Sequence, residues 1–260
     1  MNSAQRNPLV GVLVTHNSQQ FLAELLDSID GQTRPLDQLI VIDDNSTDST
    51  RSILSERGIT AIASTSAATD LSTRIASNFL QGVRYAPPES IVILGDHDDT
   101  WLPNRVEHQS HIMASLPQAA MLASDGYTTN STSHTLRSAF PVPAHWSDLT
   151  TRAQFTYAVK HSIATGGSSA VRPSRLPATI PTGWLHDRWW SLAAVSKKAM
   201  VLDSVPVINY RISLSQQVGL DTQAQHQGTK DWVCYHVGNA GRSIKRSADL
   251  AFLLTGRLNK

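Results

Sequence analysis

Short unbroken apolar runs alternate along the first hundred residues with stretches in which apolar side chains recur every three or four positions. Leu9-Val10-Gly11-Val12-Leu13-Val14 is continuous rather than alternating, the pattern of a strand buried on both faces. Thr15-His16-Asn17-Ser18 ends it, and Asn17 or Ser18 is placed to cap the next helix. That helix carries Phe21, Leu22, Leu25, Leu26 and Ile29 on one face and stops at Gly31 and Pro35. Leu39-Ile40-Val41-Ile42 predicts a second strand, ending in Asp43-Asp44-Asn45-Ser46-Thr47-Asp48. Ser46 or Thr47 then opens a helix to about Arg57, closed by Gly58. Ile59 to Ala63 reads as a weaker third strand, followed by a helix bearing Ile75, Phe79, Leu80 and Val83. Pro87-Pro88 breaks that helix before a fourth strand, Ile91-Val92-Ile93-Leu94.

This alternation predicts an α/β fold with a Rossmann-like, mostly parallel central sheet and helices on both faces. Ligands of such sheets bind beyond the carboxyl ends of the strands. Polar residues gather at three of those ends: Thr15 and Asn17, Asp43 and Asp44, and Gly95-Asp96-His97-Asp98-Asp99-Thr100-Trp101. Asp96, Asp98 and Asp99 repel one another unless a cation sits among them, and carboxylate oxygens suit Mg²⁺ or Mn²⁺. An acidic surface turn is the plain alternative. Three polar strand ends meeting at one edge favour a metal–phosphate site.

Farther on, Pro103 suits the first turn of a helix running to about Ser115, with Val106 and Ile112 inward. Ala119 to Ser124 reads as a strand, Asp125-Gly126 as a turn, and residues 127–147 as a long loop. A helix over Leu149 to His161, a flexible break at Gly166-Gly167-Ser168-Ser169, a helix over Leu185 to Lys198 and an extended return from Val205 to Tyr210 complete the pattern.

Composition narrows the class. The chain has 260 residues, 40% of them apolar, enough for a sizeable core. The 22 basic and 21 acidic side chains leave a net charge of +1, so nothing draws the whole molecule to nucleic acid. No apolar run approaches the ~20 residues that span a bilayer. The single cysteine, Cys234, excludes an internal disulfide and fits a reducing compartment. A soluble, cytoplasmic protein is the expectation.

Taken in order and spacing, several segments resemble the inverting nucleotide-sugar glycosyltransferases of family 2, with the GT-A type fold. They are Val12-Leu13-Val14-Thr15-His16-Asn17, Val41 to Asp48, Asn78-Phe79, Gly95 to Asn104, His186-Asp187-Arg188-Trp189-Trp190 and Tyr210-Arg211. The likeness spans about residues 8–220, so residues 1–220 are expected to form the catalytic domain and 221–260 an extension. The aromatic residue after the Asp pair and the late acid-Trp-Trp run resemble the rhamnosyltransferase-like branch, which implies a deoxyhexose such as rhamnose.

The resemblance implies a division of labour. Asp99 is expected to contact the metal directly, with Asp98 beside it, and Asp96 or Asp98 to meet ribose or a metal-bound water. Thr15 and Asn17 hydrogen-bond the nucleotide, and Asp44 or Asp43 accepts from the imide N–H of a pyrimidine ring. That N–H is absent from cytosine, so UDP- or dTDP-linked sugars are the expected donors. Helix capping is the competing use of the Asp43–Asp48 segment. Arg74 either reaches a phosphate or lies solvated on its helix.

Asp187 matches the family's general base. Its place at a helix start favours the ionised form, and burial beside Trp184, Trp189 and Trp190 opposes it. His186, Trp184, Trp189, Gly166 and Gly167 are expected at the acceptor side, where a glycan, a lipid-linked hydroxyl or a small molecule would bind; contact with pyrophosphate or no role for His186, core packing for the tryptophans and a plain turn for the glycines are the alternatives, and Trp190 reads as core.

The run Tyr210-Arg211-Ile212-Ser213 departs from the family by placing Ser213 where many relatives carry a histidine. A hydroxyl is the poorer metal ligand, which leaves Arg211 to meet phosphate. From Thr229 on, six basic side chains face two acidic ones, a balance of +4. Such a basic, loosely helical tail suits packing on the domain, packing on a second subunit in a homodimer, or peripheral contact with the inner face of an anionic membrane. A sugar-phosphate nucleotidyltransferase shares the sheet but expects a glycine-rich basic loop after the first strand, which Thr15-His16-Asn17-Ser18 does not provide. A non-catalytic nucleotide- or glycan-binding homologue is the remaining alternative.

Overall fold

The computed structural model describes residues 6–129, 139–211 and 240–255. Its first half runs β1 (Leu9–Thr15), α1 (Leu22–Asp30), β2 (Gln38–Asp43), α2 (Thr50–Glu56), β3 (Ile62–Ala63), α3 (Leu71–Tyr85) and β4 (Ile91–Asp96). There follow β5 (Thr100–Trp101), α4 (Arg105–Ser115), β6 (Met121–Thr129), α5 (Thr151–Lys160), β7 (Ser169–Val171), α6 (His186–Ser196), β8 (Met200–Arg211) and α7 (Ala240–Thr255). The chain divides into two compact units, Met1–Tyr127 with Arg137–Tyr210, and Thr128–Leu136 with Arg211–Lys260. The second unit's described helix is α7.

The strands form one sheet in the order β3-β2-β1-β4-β7-β6-β8-β5. β1 pairs in parallel with both β2 and β4, and β2 with β3, while β7 runs antiparallel to β4 and β6. Every residue of β1 is buried, as its unbroken apolar run requires. Register then sets the site: Thr15 lies opposite Asp43, and Val14 opposite Asp96, so three strands end together at one edge. Helices cover both faces. Gly82 of α3 lies against Val12 and Ile42, and on the other side Gly11 lies against Leu36, Leu39 and Trp101.

Several local expectations change. Asn17 and Ser18 do not cap α1 through their side chains; the Ser18 carbonyl accepts from the Phe21 and Leu22 amides at 3.0 Å each. Ser46 and Thr47 do not open α2; Asp48 does, accepting from the Thr50 amide at 2.9 Å and the Gln19 amide at 3.0 Å. β3 keeps only two residues of the predicted five. Asp125-Gly126 is not a turn, because β6 continues through it to Thr129. A Cβ at Gly126 would sit 2.8 Å from Ile208 Cγ1 of β8, so this glycine answers a close approach. Residues 166–169 are not a flexible break either. Gly166–Ser168 is a buried 3₁₀ turn leading into β7. Ile112 is half-buried where an inward side chain was expected. Among the described residues, no helix is long and apolar enough to cross a membrane. Residues 130–138 of the expected loop, Ser213 and most of the tail lie outside the described residues.

Candidate active site

The ends of β1 and β2 build the first wall. Asp43 is 1% exposed and fully engaged by its own chain. The Thr15 hydroxyl donates to it at 3.1 Å, the Ser46 hydroxyl at 2.5 Å, the Ser46 amide at 3.2 Å and Arg51 Nε at 2.6 Å. Burial alone would raise its pKa, but these donors, led by Ser46 and Arg51, hold it below the usual carboxylate value. Asp43 and the Thr15 side chain are therefore engaged within the framework of the two strand ends.

Asp44 differs. Its backbone is pinned, with its amide donating to the Thr15 carbonyl at 2.8 Å and its carbonyl 2.6 Å from His16 Nδ1. Its carboxylate lies 3.0 Å from Arg74 Nε of α3, so Arg74 is an ion-pair partner rather than a solvated helix residue. Asn17 takes a left-handed backbone, φ 49°, and its side-chain oxygen accepts from the Thr47 amide at 2.9 Å. It stitches the first loop to the second.

The acidic loop between β4 and β5 builds the second wall. The 3₁₀ turn opposite it presents two consecutive amides. The Gly166 amide lies toward Asp187 and the Gly167 amide toward Asp96, each favouring the charged carboxylate. Side chains are absent from this turn for a steric reason. A Cβ on Gly167 would lie 2.7 Å from Asp96 Oδ2 and 2.8 Å from Asp99 Oδ2, and one on Gly166 would lie 2.4 Å from His186 Nε2. The turn thus lies between the acidic loop and the start of α6, where the charge of Asp187 reaches Asp96. Burial, then the charges of Asp98 and Asp187, push the Asp96 pKa up to about 7. Burial also raises that of Asp187, outweighing the helix start and the amides of Arg188 and Gly166.

Asp99 is the buried carboxylate of the loop. It is 1% exposed, lies against Gly167 and shares the field of Arg105, a residue that sequence reasoning missed. Asp96 and Asp98 are the partly exposed carboxylates of the loop. Among the described residues, no group of three His, Cys, Asp or Glu side chains is arranged to hold a metal. Mg²⁺ and Mn²⁺ are commonly bound by one or two carboxylates with the remaining positions filled by phosphate and water. Two crowded hard-oxygen donors, one with a strongly raised pKa, fit such a cation.

The aromatic residues expected at the acceptor side are buried. Trp189 is 1% exposed and its indole N–H donates to the Thr179 carbonyl at 3.1 Å. Trp184 packs on it with ring centres 5.5 Å apart. His186 is 3% exposed, stacked on Phe79 at 3.9 Å and edge-on to Trp190 at 5.3 Å. Burial takes its pKa down to about 3, so it stays neutral at any working pH. None of the three offers a face to a sugar. Gly167 lies against Asp96 and Asp99, and Gly166 against His186. Arg188 fastens this region from behind, donating to the Ala158 carbonyl at 2.9 Å, the Val159 carbonyl at 3.1 Å and the His161 carbonyl.

Comparison with solved structures finds the same fold. TarS of S. aureus, solved with UDP, superposes with a TM-score of 0.59 at 15% identity, covering 96% of this chain and 82% of that one. Glucosyl-3-phosphoglycerate synthase from Mycobacterium tuberculosis, solved with Mn²⁺ and UDP-glucose, superposes at 0.54 and 14% identity, covering 84% of this chain and 74% of that one. A sequence search of curated proteins finds no match. The family model "Glycosyl transferase family 2" matches residues 12–176, from β1 through the acidic loop to just beyond β7 and short of Asp187. That span is more than half of the chain, and the chain therefore belongs to glycosyl transferase family 2, enzymes that use nucleotide-sugar donors.

Proposed function

We propose that this enzyme transfers a sugar from a uridine- or thymidine-diphosphate donor to a hydroxyl acceptor, with inversion at the anomeric carbon. One observation supports the reading: the Gly166–Gly167 turn lies against Asp96 and Asp99 on one side and His186 on the other, and the charge of Asp187 reaches Asp96, so a candidate base adjoins the acidic motif.

At the nucleotide end, Asp44 accepts from the imide N–H of uracil or thymine, with Arg74 fixing the carboxylate. Asp98, with Asp96 beside it, would hold the divalent cation, and Mg²⁺ or Mn²⁺ there would supply Lewis-acid neutralisation of the diphosphate. Asp187 takes the proton of the acceptor hydroxyl. The freed oxygen forms its bond to the anomeric carbon on the face opposite the diphosphate, whose C–O bond breaks with the electron pair leaving on phosphate. A carboxylate whose pKa is raised by burial is a stronger base than a solvated aspartate, and above that pKa it carries the charge the step needs.

UDP in TarS, and Mn²⁺ with UDP-glucose in the mycobacterial synthase, support this donor class and cation. The late His186-Asp187-Arg188-Trp189-Trp190 run supports a deoxyhexose donor such as rhamnose. The acceptor is a glycan, a lipid-linked hydroxyl or a small molecule.

Asp187→Asn tests the assignment. Transfer should fall by roughly 10²–10⁴-fold, the usual contribution of a general base. Thermal-shift titration with UDP- and dTDP-sugars and Mn²⁺ should give an unchanged donor affinity. Equal loss of donor affinity would remove Asp187 from the base role.

A further inference from the structure

Arg105 opens α4 and is 0% exposed, an unusual place for a guanidinium. The acidic loop is wrapped around it. At one end of the loop, Arg105 Nη2 donates to the Leu94 carbonyl at 2.6 Å. At the other end, its guanidinium carbon lies 4.2 Å from the centre of the Trp101 ring, within cation–π range. Its Nε reaches Gln109 at 3.3 Å, and Gln109 in turn donates to the Ser168 carbonyl at 2.8 Å, in the turn that carries Gly166 and Gly167. Asp99 and Asp96 lie between these fastenings. Their Oδ2 atoms are at most 5.5 Å apart, since a single point beside Gly167 is 2.7 Å from one and 2.8 Å from the other. Both carboxylates attract the Arg105 charge, Asp99 more strongly.

We propose that Arg105 is the resident counter-ion of the acidic loop, holding Asp99 and Asp96 in place before cation and nucleotide arrive. The inference rests on the reading of this loop as the diphosphate and cation site. An internal cation there means that the loop needs no metal to fold. It turns Asp99 inward and leaves Asp98 as the outward ligand. It also opposes a second cation through like charge, so Mg²⁺ or Mn²⁺ alone binds weakly and the negative diphosphate brings it in.

Melting temperature with and without Mn²⁺, in the absence of nucleotide, tests this on the full chain. Arg105→Gln should lower the metal-free melting temperature by about 10 °C, the loss expected when a buried cation is removed and nearby buried carboxylate charge is left without it. Mn²⁺ alone should recover much of that loss while shifting the wild type little. Adding Asp99→Asn should also recover it, because the negative charge that Arg105 offsets is removed, and Arg105→Lys should retain most of the stability. If Arg105→Gln is destabilised equally with and without Mn²⁺, and Asp99→Asn adds a further loss, Arg105 is a packing residue and the proposal is wrong. Should Arg105→Gln alone not fold, recovery of folded protein by the Asp99→Asn double variant supports the proposal and failure overturns it. None of these readouts uses sugar transfer, so they stand or fall separately from the Asp187→Asn test.

Discussion

Replacing Asp96 with asparagine should stabilise the metal-free protein at pH 8 and leave it unchanged near pH 4. The pKa of Asp96 rises from 3.8 to about 7 on folding, through burial first and then the charges of Asp98 and Asp187. Between those two values the native state binds more protons than the unfolded chain, so stability is full below about pH 4 and drains away as pH climbs toward 7. Three pKa units correspond to a loss of about 4 kcal/mol above pH 7. Asparagine carries no charge in either state and escapes that loss. Below pH 4 the aspartic acid is neutral in both states, and the two proteins should match. For a chain of this size, 4 kcal/mol is worth about 10 °C in melting temperature. Thermal melts of wild type and Asp96→Asn in chelator at pH 4 and pH 8 read this directly. An advantage of the variant that is equal at both pH values, or absent at pH 8, would show that the Asp96 carboxylate is not held against its ionisation.

Asp43 and Asp44 are neighbours that should behave oppositely. Asp43→Asn breaks the Arg51 ion pair and disturbs three further hydrogen bonds, so a loss of about 2–3 kcal/mol in denaturant melts is expected. Asp44→Asn should cost under about 1 kcal/mol yet weaken binding of UDP and dTDP, measured calorimetrically; the reverse ranking would return Asp43 to the nucleotide. Gly167→Ala places a Cβ 2.7–2.8 Å from two carboxylate oxygens that cannot both retreat, so about 1–3 kcal/mol of stability and most of the transfer activity should be lost. Wild-type melting and turnover in that variant would mean that the turn does not hold the acids.

The strands that carry the site were legible because their environment leaves one solution. β1, β2 and β4 are buried on both faces, and only an unbroken apolar run survives there. β3 lies at the sheet edge, half-exposed, and its weaker pattern shrank accordingly. What sequence alone could not separate were residues of one type with opposite fates. Asp43 and Asp44 are equivalent as letters, and only their partners, Thr15, Ser46 and Arg51 against Arg74, divide framework from ligand candidate. Glycine misled at Gly126, which reads as a turn when the actual demand is space for Ile208, and at Gly167 the turn was legible but not the space it leaves for two carboxylates. Tryptophan beside an acid suggested a sugar-stacking surface, but Trp184 and Trp189 turn into the core.

Arg105 left one signal that could have been read. A cation in the first turn of a helix opposes the macrodipole, which favours acids at that end, and a solvated arginine gains nothing there. An arginine kept in so unfavourable a position, six residues after Asp99, needs an anion close enough to offset the cost. The acidic loop is the nearest supply of one. The repulsion that first marked Asp96, Asp98 and Asp99 as a site thus has two remedies, a cation supplied from solution and a cation built into the chain. The buried guanidinium is the one that acts while the chain folds, which leaves the exchangeable cation to serve the diphosphate.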